Sequence, residues 1–341
     1  MTSRDDAHAL PTPEIDGLRL RPLDPSDLDA WWSLEQRAQE VDRDPHPVTR
    51  STLEGWLGRH GGDLAADTLV ALDADGETRA LVRVDVPDGQ VDAVRALVGG
   101  VVDPVWRGRG VGRALLAWQL ARAEVKVGQV RRDGGVPDDV PSEAGTFVRD
   151  GHPDAPALLA RAGLEHARFF SSMSRDLTAS PPRPTEVPGG LTEVDLGEAD
   201  VVERTRVAHN DSFQDHWGYH PETPLTWASE TTANEGFRPD LSRALLDVDG
   251  VVAGYAVVSV RPEATGERVG HLELLGTTRA WRGRGLASFL LERTAGLVAG
   301  DGLARTTLGV DSASPTGADR LYVAHGYERV GGSTYWAVPL G

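Results

Sequence analysis

The sequence predicts an α/β protein of two tandem domains, each a mixed sheet flanked by helices. Three observations predict it: the length, an internal duplication, and the same strand and helix order in both copies. The chain has 341 residues, enough for two domains of roughly 100–200 residues each. Trp-Arg-Gly-Arg-Gly occurs at Trp106–Gly110 and again at Trp281–Gly285, 175 residues on. Other segments match at nearly the same spacing. Val70–Gly76 resembles Ala244–Gly250 at 174, Gly17–Arg19 resembles Gly190–Thr192 at 173, and Ala162–Glu165 resembles His325–Glu328 at 163. A period this long means homologous domains rather than a solenoid. The shorter last spacing gives the first copy about twelve extra residues, and the Gly- and Asp-rich stretch Gly128–Pro153 reads as the loop that holds them.

Each element follows from its own residues. A short strand opens each copy (Leu18–Pro22; Leu191–Val194). Asp24-Pro25-Ser26-Asp27 is a helix-start cluster before Leu28–Gln39. Leu69–Leu72 and Arg79–Val86 form a hairpin, as do Ser242–Asp247 and Val251–Val260 around Asp249-Gly250. A third apolar strand follows, Val94–Val102 or His271–Thr277, and the glycine segment then opens a helix, Val111–Val125 or Leu286–Val298. Leu303–Val310 reads as a strand and Thr316–His325 as a helix with Gly326 just beyond its end. Thr178–Pro184 holds three prolines and suits neither helix nor central strand, so it separates the copies. The expected division is a disordered tail over 1–13, a domain over 14–178, a linker over 179–186 and a second domain over 187–341.

Composition excludes several classes. Hydrophobic residues are 40% and charged residues 26%, ordinary for a globular chain. No apolar run is long enough for a membrane helix and no secretory h-region is visible, so a cytoplasmic protein is expected. There are no cysteines, which removes disulfides, thiolate metal sites and a cysteine nucleophile. The net charge is -17 and the arginines are interspersed with acids, so no basic face for nucleic acid is evident. Of the 35 Lys and Arg residues only Lys126 is lysine, a bias that fits a GC-rich bacterial gene.

The glycine segment carries the strongest chemical signal. Arg282-Gly283-Arg284-Gly285-Leu286-Ala287-Ser288 directly follows a strand and opens a helix. Glycines let the backbone turn tightly and approach a ligand closely. The free N–H groups and positive dipole end of the helix form an anion site, to which arginines add donors. That combination suits a diphosphate. A dinucleotide fingerprint needs three glycines near the start of its domain, and a P-loop needs Gly-Lys-Ser/Thr; neither is present here. A purely structural turn is the competing reading.

At these residues the chain resembles the GNAT superfamily of N-acetyltransferases. Arg282-x-x-Gly285-x-Ala287 and Arg107-x-x-Gly110-x-Gly112 are similar to its acyl-CoA motif, Gln/Arg-x-x-Gly-x-Gly/Ala. Ser314–Tyr327 is similar to the family's ending, Asn-x-x-(x)-Ala-x-x-Leu-Tyr-x-x-x-Gly-Phe. The resemblance covers 14–178 and 187–341, and the tandem layout resembles the mycothiol synthases most.

The resemblance implies GNAT-like domains with mostly antiparallel sheets and a splayed central strand. It implies acetyl-CoA as cosubstrate, no metal, a small-molecule amine as acceptor, and a monomer or homodimer. It places the diphosphate on Arg282–Ser288, and on Arg107, Gly108, Arg109, Gly110, Val111, Gly112 and Arg113 of the first copy. The pantetheine arm is expected along Leu274, Leu275 and Thr277, whose backbone would polarise the acetyl carbonyl, with Ser314 in place of the family's asparagine. Tyr322 stands at the position of the acid tyrosine. His271 occupies the strand position where many members have a glutamate, with Glu273 two residues on and on the same face. Packing or solvent-facing roles for these three residues are the alternatives. Aligning the two glycine segments puts Ala96 opposite His271, Val98 opposite Glu273, and Leu159 opposite Tyr322, so the first copy reads as catalytically degenerate. The working acetyltransfer site is therefore expected in the second copy. A mycothiol synthase-type acetylation of cysteinyl-glucosaminyl-inositol and an idle acyl-CoA binder are the rival functions.

Overall fold

The computed structural model describes residues 10–43, 48–59, 63–87, 90, 92–134, 136–137, 139–152, 154–233, 236–263, 266–313 and 317–341, without the side chains of Arg59, Gly134 and Glu230. The chain divides into two compact units: Met1–Ala167 with Thr334–Gly341, and Arg168–Ser333.

The N-terminal unit holds β1 (Arg19–Arg21), α1 (Leu28–Asp42), α2 (Arg50–Arg59), α3 (Leu64–Asp67), β2 (Thr68–Leu72), β3 (Thr78–Asp85), β4 (Val94–Val102), α4 (Val111–Gly134), β5 (Ser142–Arg149) and α5 (Asp154–Arg161). Asp24 starts the first helical turn with a reciprocal cap: its carboxylate accepts from the backbone N–H groups of that turn, and the Asp27 carboxylate accepts from the Asp24 N–H. The sheet order is β1-β2-β3-β4-β5, and the residues from Thr334 onward add a sixth strand beside β5. β1–β2, β2–β3 and β3–β4 pair antiparallel, and β4 and β5 pair in parallel. One face packs on α4 through Val94, Ala96, Val98 and Leu115; the other packs on α1 and α2 through Trp31, Leu34 and Trp56.

Gly128–Pro153, expected as loop, is mostly ordered structure. α4 continues to Gly134 because Ala123, Val127 and Val130 keep its apolar stripe on the core at helical spacing. β5 lies in the same stretch, since Ser142 and Ala144 are buried on either side of half-buried Glu143, and Ala144 joins the core. The predicted tail has Leu10 packed on the core, while 1–9 lie outside the described residues.

The second unit holds β6 (Glu165–Asp176), which it enters at Arg168, β7 (Thr192–Val194), α6 (Ala199–Ser212), α7 (Pro224–Trp227), β8 (Arg243–Leu246), β9 (Val252–Pro262), β10 (Arg268–Thr277), α8 (Leu286–Gly300), β11 (Arg305–Asp311), α9 (Ala318–Ala324) and β12 (Glu328–Pro339), which it leaves after Ser333. Its order is β12-β6-β11-β10-β9-β8-β7, with β10 and β11 the parallel pair. β9 is buried from Val252 to Val260 because helices cover both faces: α8 over Leu272 and Leu308, α6 over Tyr255 and Val257. The Pro-rich segment packs on this unit. Buried Arg175 donates to the carbonyls of Ser180 and Pro181, and Glu292 of α8 accepts from the Arg183 backbone.

Candidate active site

β10 and β11 part company in the middle of the second unit. They pair only at Gly270–Thr306, His271–Thr307 and Leu272–Leu308. Beyond that rung β11 stays with β6 to Asp311, and β10 stays with β9 to Thr277. The wedge leaves half the backbone N–H and C=O groups of Leu274–Thr277 pointing away from β9 with no β11 partner. The splay begins at a β-bulge: the β9–β10 register slips between Leu272 and Leu274, and Glu273 is the extra residue. The alternation of faces breaks there. Leu272 and Leu275 both pack on the α8 side, and Leu274 packs on the α6 side. Gly276 is glycine because the Tyr255 ring lies across it; a Cβ would come within 2.3 Å of that ring.

The wedge opens toward the glycine segment. Gly285 caps α8 with φ +81°, and Gly283 has φ +76°. No atom lies within 4 Å of a Cβ built at either, so the space before the helix is open. The first helical bond is Phe289 N–H to Gly285 O, which leaves the N–H groups of Leu286, Ala287 and Ser288 without helical partners. The Leu286 side chain is core. An uncapped helix start beside an open strand edge fits a ligand with a diphosphate and an extended amide-bearing arm. The first copy repeats the loop, with φ +72° at Gly108, +86° at Gly110 and Val111 buried beneath it, while Gly112 is half-buried and Arg113 exposed.

The arginine side chains do other work than the sequence suggested. Arg282 donates to Asp215 at 3.0 Å and to the Ser212 carbonyl at 2.8 Å, tying the glycine segment to the connection after α6. Arg107 makes the same kind of tie, bidentate to Asp42 at 2.5 and 2.8 Å. Arg284 lies over Trp281 at 4.6 Å and Arg109 over Trp106 at 4.8 Å. Both copies thus commit one arginine to an ion pair and lay one over an indole, and in the first copy Arg113 Nη2 reaches to 3.4 Å from a Cβ built at Gly110.

His271 and Glu273 meet across the bulge, not through the regular alternation their spacing suggested. His271 Nε2 is 3.7 Å from Glu273 Oε2. Each is held by its own neighbour: His271 Nδ1 lies 2.8 Å from Thr307 Oγ1, and Ser259 donates to Glu273 Oε1 at 2.5 Å, with Arg261 3.8 Å away. The His271 side chain is 11% exposed and that of Glu273 30%, so the carboxylate is the outer, reachable group. Tyr322 packs on other partners. It lies in the core on the α8 side, edge to face with Tyr327 at 5.9 Å, and burial raises its phenol well above the ordinary range. Ser314 lies outside the described residues.

Sequence reasoning did not single out Thr307, Ser259 or Tyr255. The connection after α6 adds His216 and Trp217. Trp217 is pinned by Phe170 at 5.9 Å and by Arg168 at 5.4 Å, and Arg168 is itself bidentate to Asp311.

The first copy differs at this point. β3 and β4 pair without a slip from Ala80–Val102 to Asp85–Leu97, so there is no bulge. The ungapped alignment is therefore corrected. Val98 packs toward α4 as Leu272 packs toward α8, Leu97 takes the place of His271, and Glu273 has no counterpart. Leu97 and its partner Gly145 carry no titratable side chain. Leu159, opposite Tyr322, is core. Gly145 pairs with Leu97, and Tyr335 lies over it so closely that a Cβ would be 2.2 Å from the phenol oxygen.

This fold and site define an acyl-CoA-dependent acyltransferase carrying its catalytic fold twice. The profile of the Acetyltransferase (GNAT) family matches residues 203–327. The mycothiol acetyltransferase of a Nocardioides species is 30% identical over 229 residues, 62% of this chain and 70% of that protein. A GCN5-related N-acetyltransferase from Sphaerobacter thermophilus superposes with TM-score 0.68 at 26% identity, over 95% of this chain and 96% of its own. A tandem GNAT protein from the clavulanic acid biosynthesis pathway shares the fold at TM-score 0.66 and 19% identity, over 95% of this chain and 99% of its own. The chain belongs to the GNAT acetyltransferase family. Among the described residues no helix is long and apolar enough to cross a membrane.

Proposed function

We propose that the second copy transfers an acetyl group from acetyl-CoA to the primary amine of a small molecule by direct attack. The observation that carries this reading is Glu273: a bulge residue at the start of the splay, half-exposed, with His271 behind it. Bound acetyl-CoA would supply an activated thioester. The open N–H groups of α8 and of the Leu274–Thr277 edge would bind its diphosphate and arm, and edge N–H groups are the donors available to the carbonyl. Glu273 takes the proton that the attacking amine must lose, with His271 as its partner. Tyr322, neutral at all physiological pH, donates toward the departing sulfur.

The names of the relatives favour one acceptor over other amines, the cysteinyl amine of cysteinyl-glucosaminyl-inositol. The test is thiol release from acetyl-CoA with that compound, glucosamine, spermidine and L-lysine. Cysteinyl-glucosaminyl-inositol should be fastest. Glu273→Gln and Tyr322→Phe should each lower kcat at least about ten-fold, the low end of acid–base effects. Acceptor-independent release alone would refute acetyltransfer, and an unchanged kcat would remove that residue from the mechanism.

A further inference from the structure

We infer that Thr307 is a positioning residue for the His271–Glu273 pair: its hydroxyl donates to His271 Nδ1 and so sets the imidazole proton on Nε2, facing the carboxylate. This rests on the reading of that pair as the proton-accepting group. Three observations carry it. Thr307 and His271 are direct partners across the parallel strands, one rung before β10 and β11 separate. Both are buried, and Oγ1 lies 2.8 Å from Nδ1. A threonine hydroxyl can either donate to Nδ1 or accept from it, so the tautomer is decided together with the group that faces Nε2. Nε2 faces Glu273 Oε2 at 3.7 Å, and a carboxylate at that distance favours a proton on the nitrogen it faces. Glu273 is then flanked by Ser259 and Arg261 on Oε1 and by His271 toward Oε2.

The first copy supplies an independent comparison. There the corresponding rung is Leu97–Gly145, so imidazole and hydroxyl are missing together, and the space over Gly145 is filled by Tyr335. With His271 absent there is no tautomer to set.

The test uses the full chain labelled with 15N-histidine, as wild type, Thr307→Val, Thr307→Ser and His271→Gln. Long-range 1H–15N spectra, with the His271 signals identified by their loss in His271→Gln, should show one Nε2–H tautomer in the wild type and in Thr307→Ser. In Thr307→Val the Nδ1 resonance should move to that of an unbonded nitrogen. With acetyl-CoA and the fastest amine of the panel, Thr307→Val should lower kcat about ten-fold with little change in KM for acetyl-CoA, and Thr307→Ser should restore it. Thr307→Val added to His271→Gln should have no further effect. A wild-type Nδ1–H tautomer, or Thr307→Val spectra and kcat matching wild type, would overturn the inference. If no amine is acetylated, the acetyltransfer reading fails while the spectra still decide the role of Thr307.

Discussion

His209 shows how a single side chain behind the site couples it to pH. It projects from α6, stacks on Phe213 at 4.4 Å, and places Nδ1 2.8 Å from the hydroxyl of fully buried Tyr255, the residue whose ring covers Gly276. Burial, aided by His216 and His220, pushes its pKa down to about 4. In the unfolded chain it titrates near 6.5. Between these values the unfolded state holds the extra proton, so stability falls as pH drops through that window and levels off below it. The loss from this one residue is at most about 3 kcal/mol. His209→Gln keeps a polar partner for Tyr255 but cannot titrate. Its urea-derived stability should change less between pH 7 and 4.5 than that of the wild type, by about 1–3 kcal/mol. Identical pH dependence in the two proteins would show that His209 is not the sensor. His209 was invisible in the sequence as such a group, because a lone histidine one residue before a polar segment carries no burial signal.

At the scale of the element, β10 differs from β4 by one inserted residue, and the sequence records it. Hairpin residues match between the copies at a spacing of 174, and the glycine segments match at 175. The additional residue has to lie between them, and the β9–β10 slip identifies it as Glu273. The spacing was legible, but its meaning was not, since one insertion anywhere between Gly250 and Trp281 gives the same count. An ungapped alignment therefore moved the upstream half of the strand by one residue and reversed its faces. β5 was missed for a related reason: glycines and acids flank a strand whose inward residues are small, and only its neighbours β4 and the last strand make it central. The glycine segments, by contrast, were readable in both copies, because positive φ at two positions needs glycine whatever surrounds them. Deleting Glu273 should turn β10 into a strand like β4, since Leu272 and Leu275 would again be two positions apart on one face. The expected protein is folded, with helical circular dichroism and a cooperative melt, and its acetyl transfer is at least about a hundred-fold slower. Activity within a few-fold of wild type would mean that the bulge does not build the site.

At the scale of the whole molecule the question is what the first copy retains. It keeps the ties that shape the glycine segment, Asp42 with Arg107 and Trp106 with Arg109, and it keeps the open helix start, where Ala114 N–H to Gly110 O is the first helical bond. Its strands β4 and β5 also pair only from Val94–Ser142 to Leu97–Gly145. It has lost the bulge, the imidazole, the carboxylate and the tyrosine, and Tyr335 lies over β5 on its other face. The features proposed to hold a diphosphate are thus present twice, and those proposed to move a proton once. Titrating acetyl-CoA calorimetrically into the wild type should therefore give two sites per chain. Gly285→Glu and Gly110→Glu should each give one, because a carboxylate is placed in the anion-facing space and a side chain is forced into a left-handed backbone that costs about 1–2 kcal/mol. Turnover should be lost with Gly285→Glu and kept with Gly110→Glu. One site in the wild type, abolished by Gly285→Glu alone, would mean that Tyr335 and the regular β4 have closed the first wedge to the arm and that diphosphate contacts by themselves do not hold the ligand. Two sites with turnover lost in Gly110→Glu would require the first copy to act on the second.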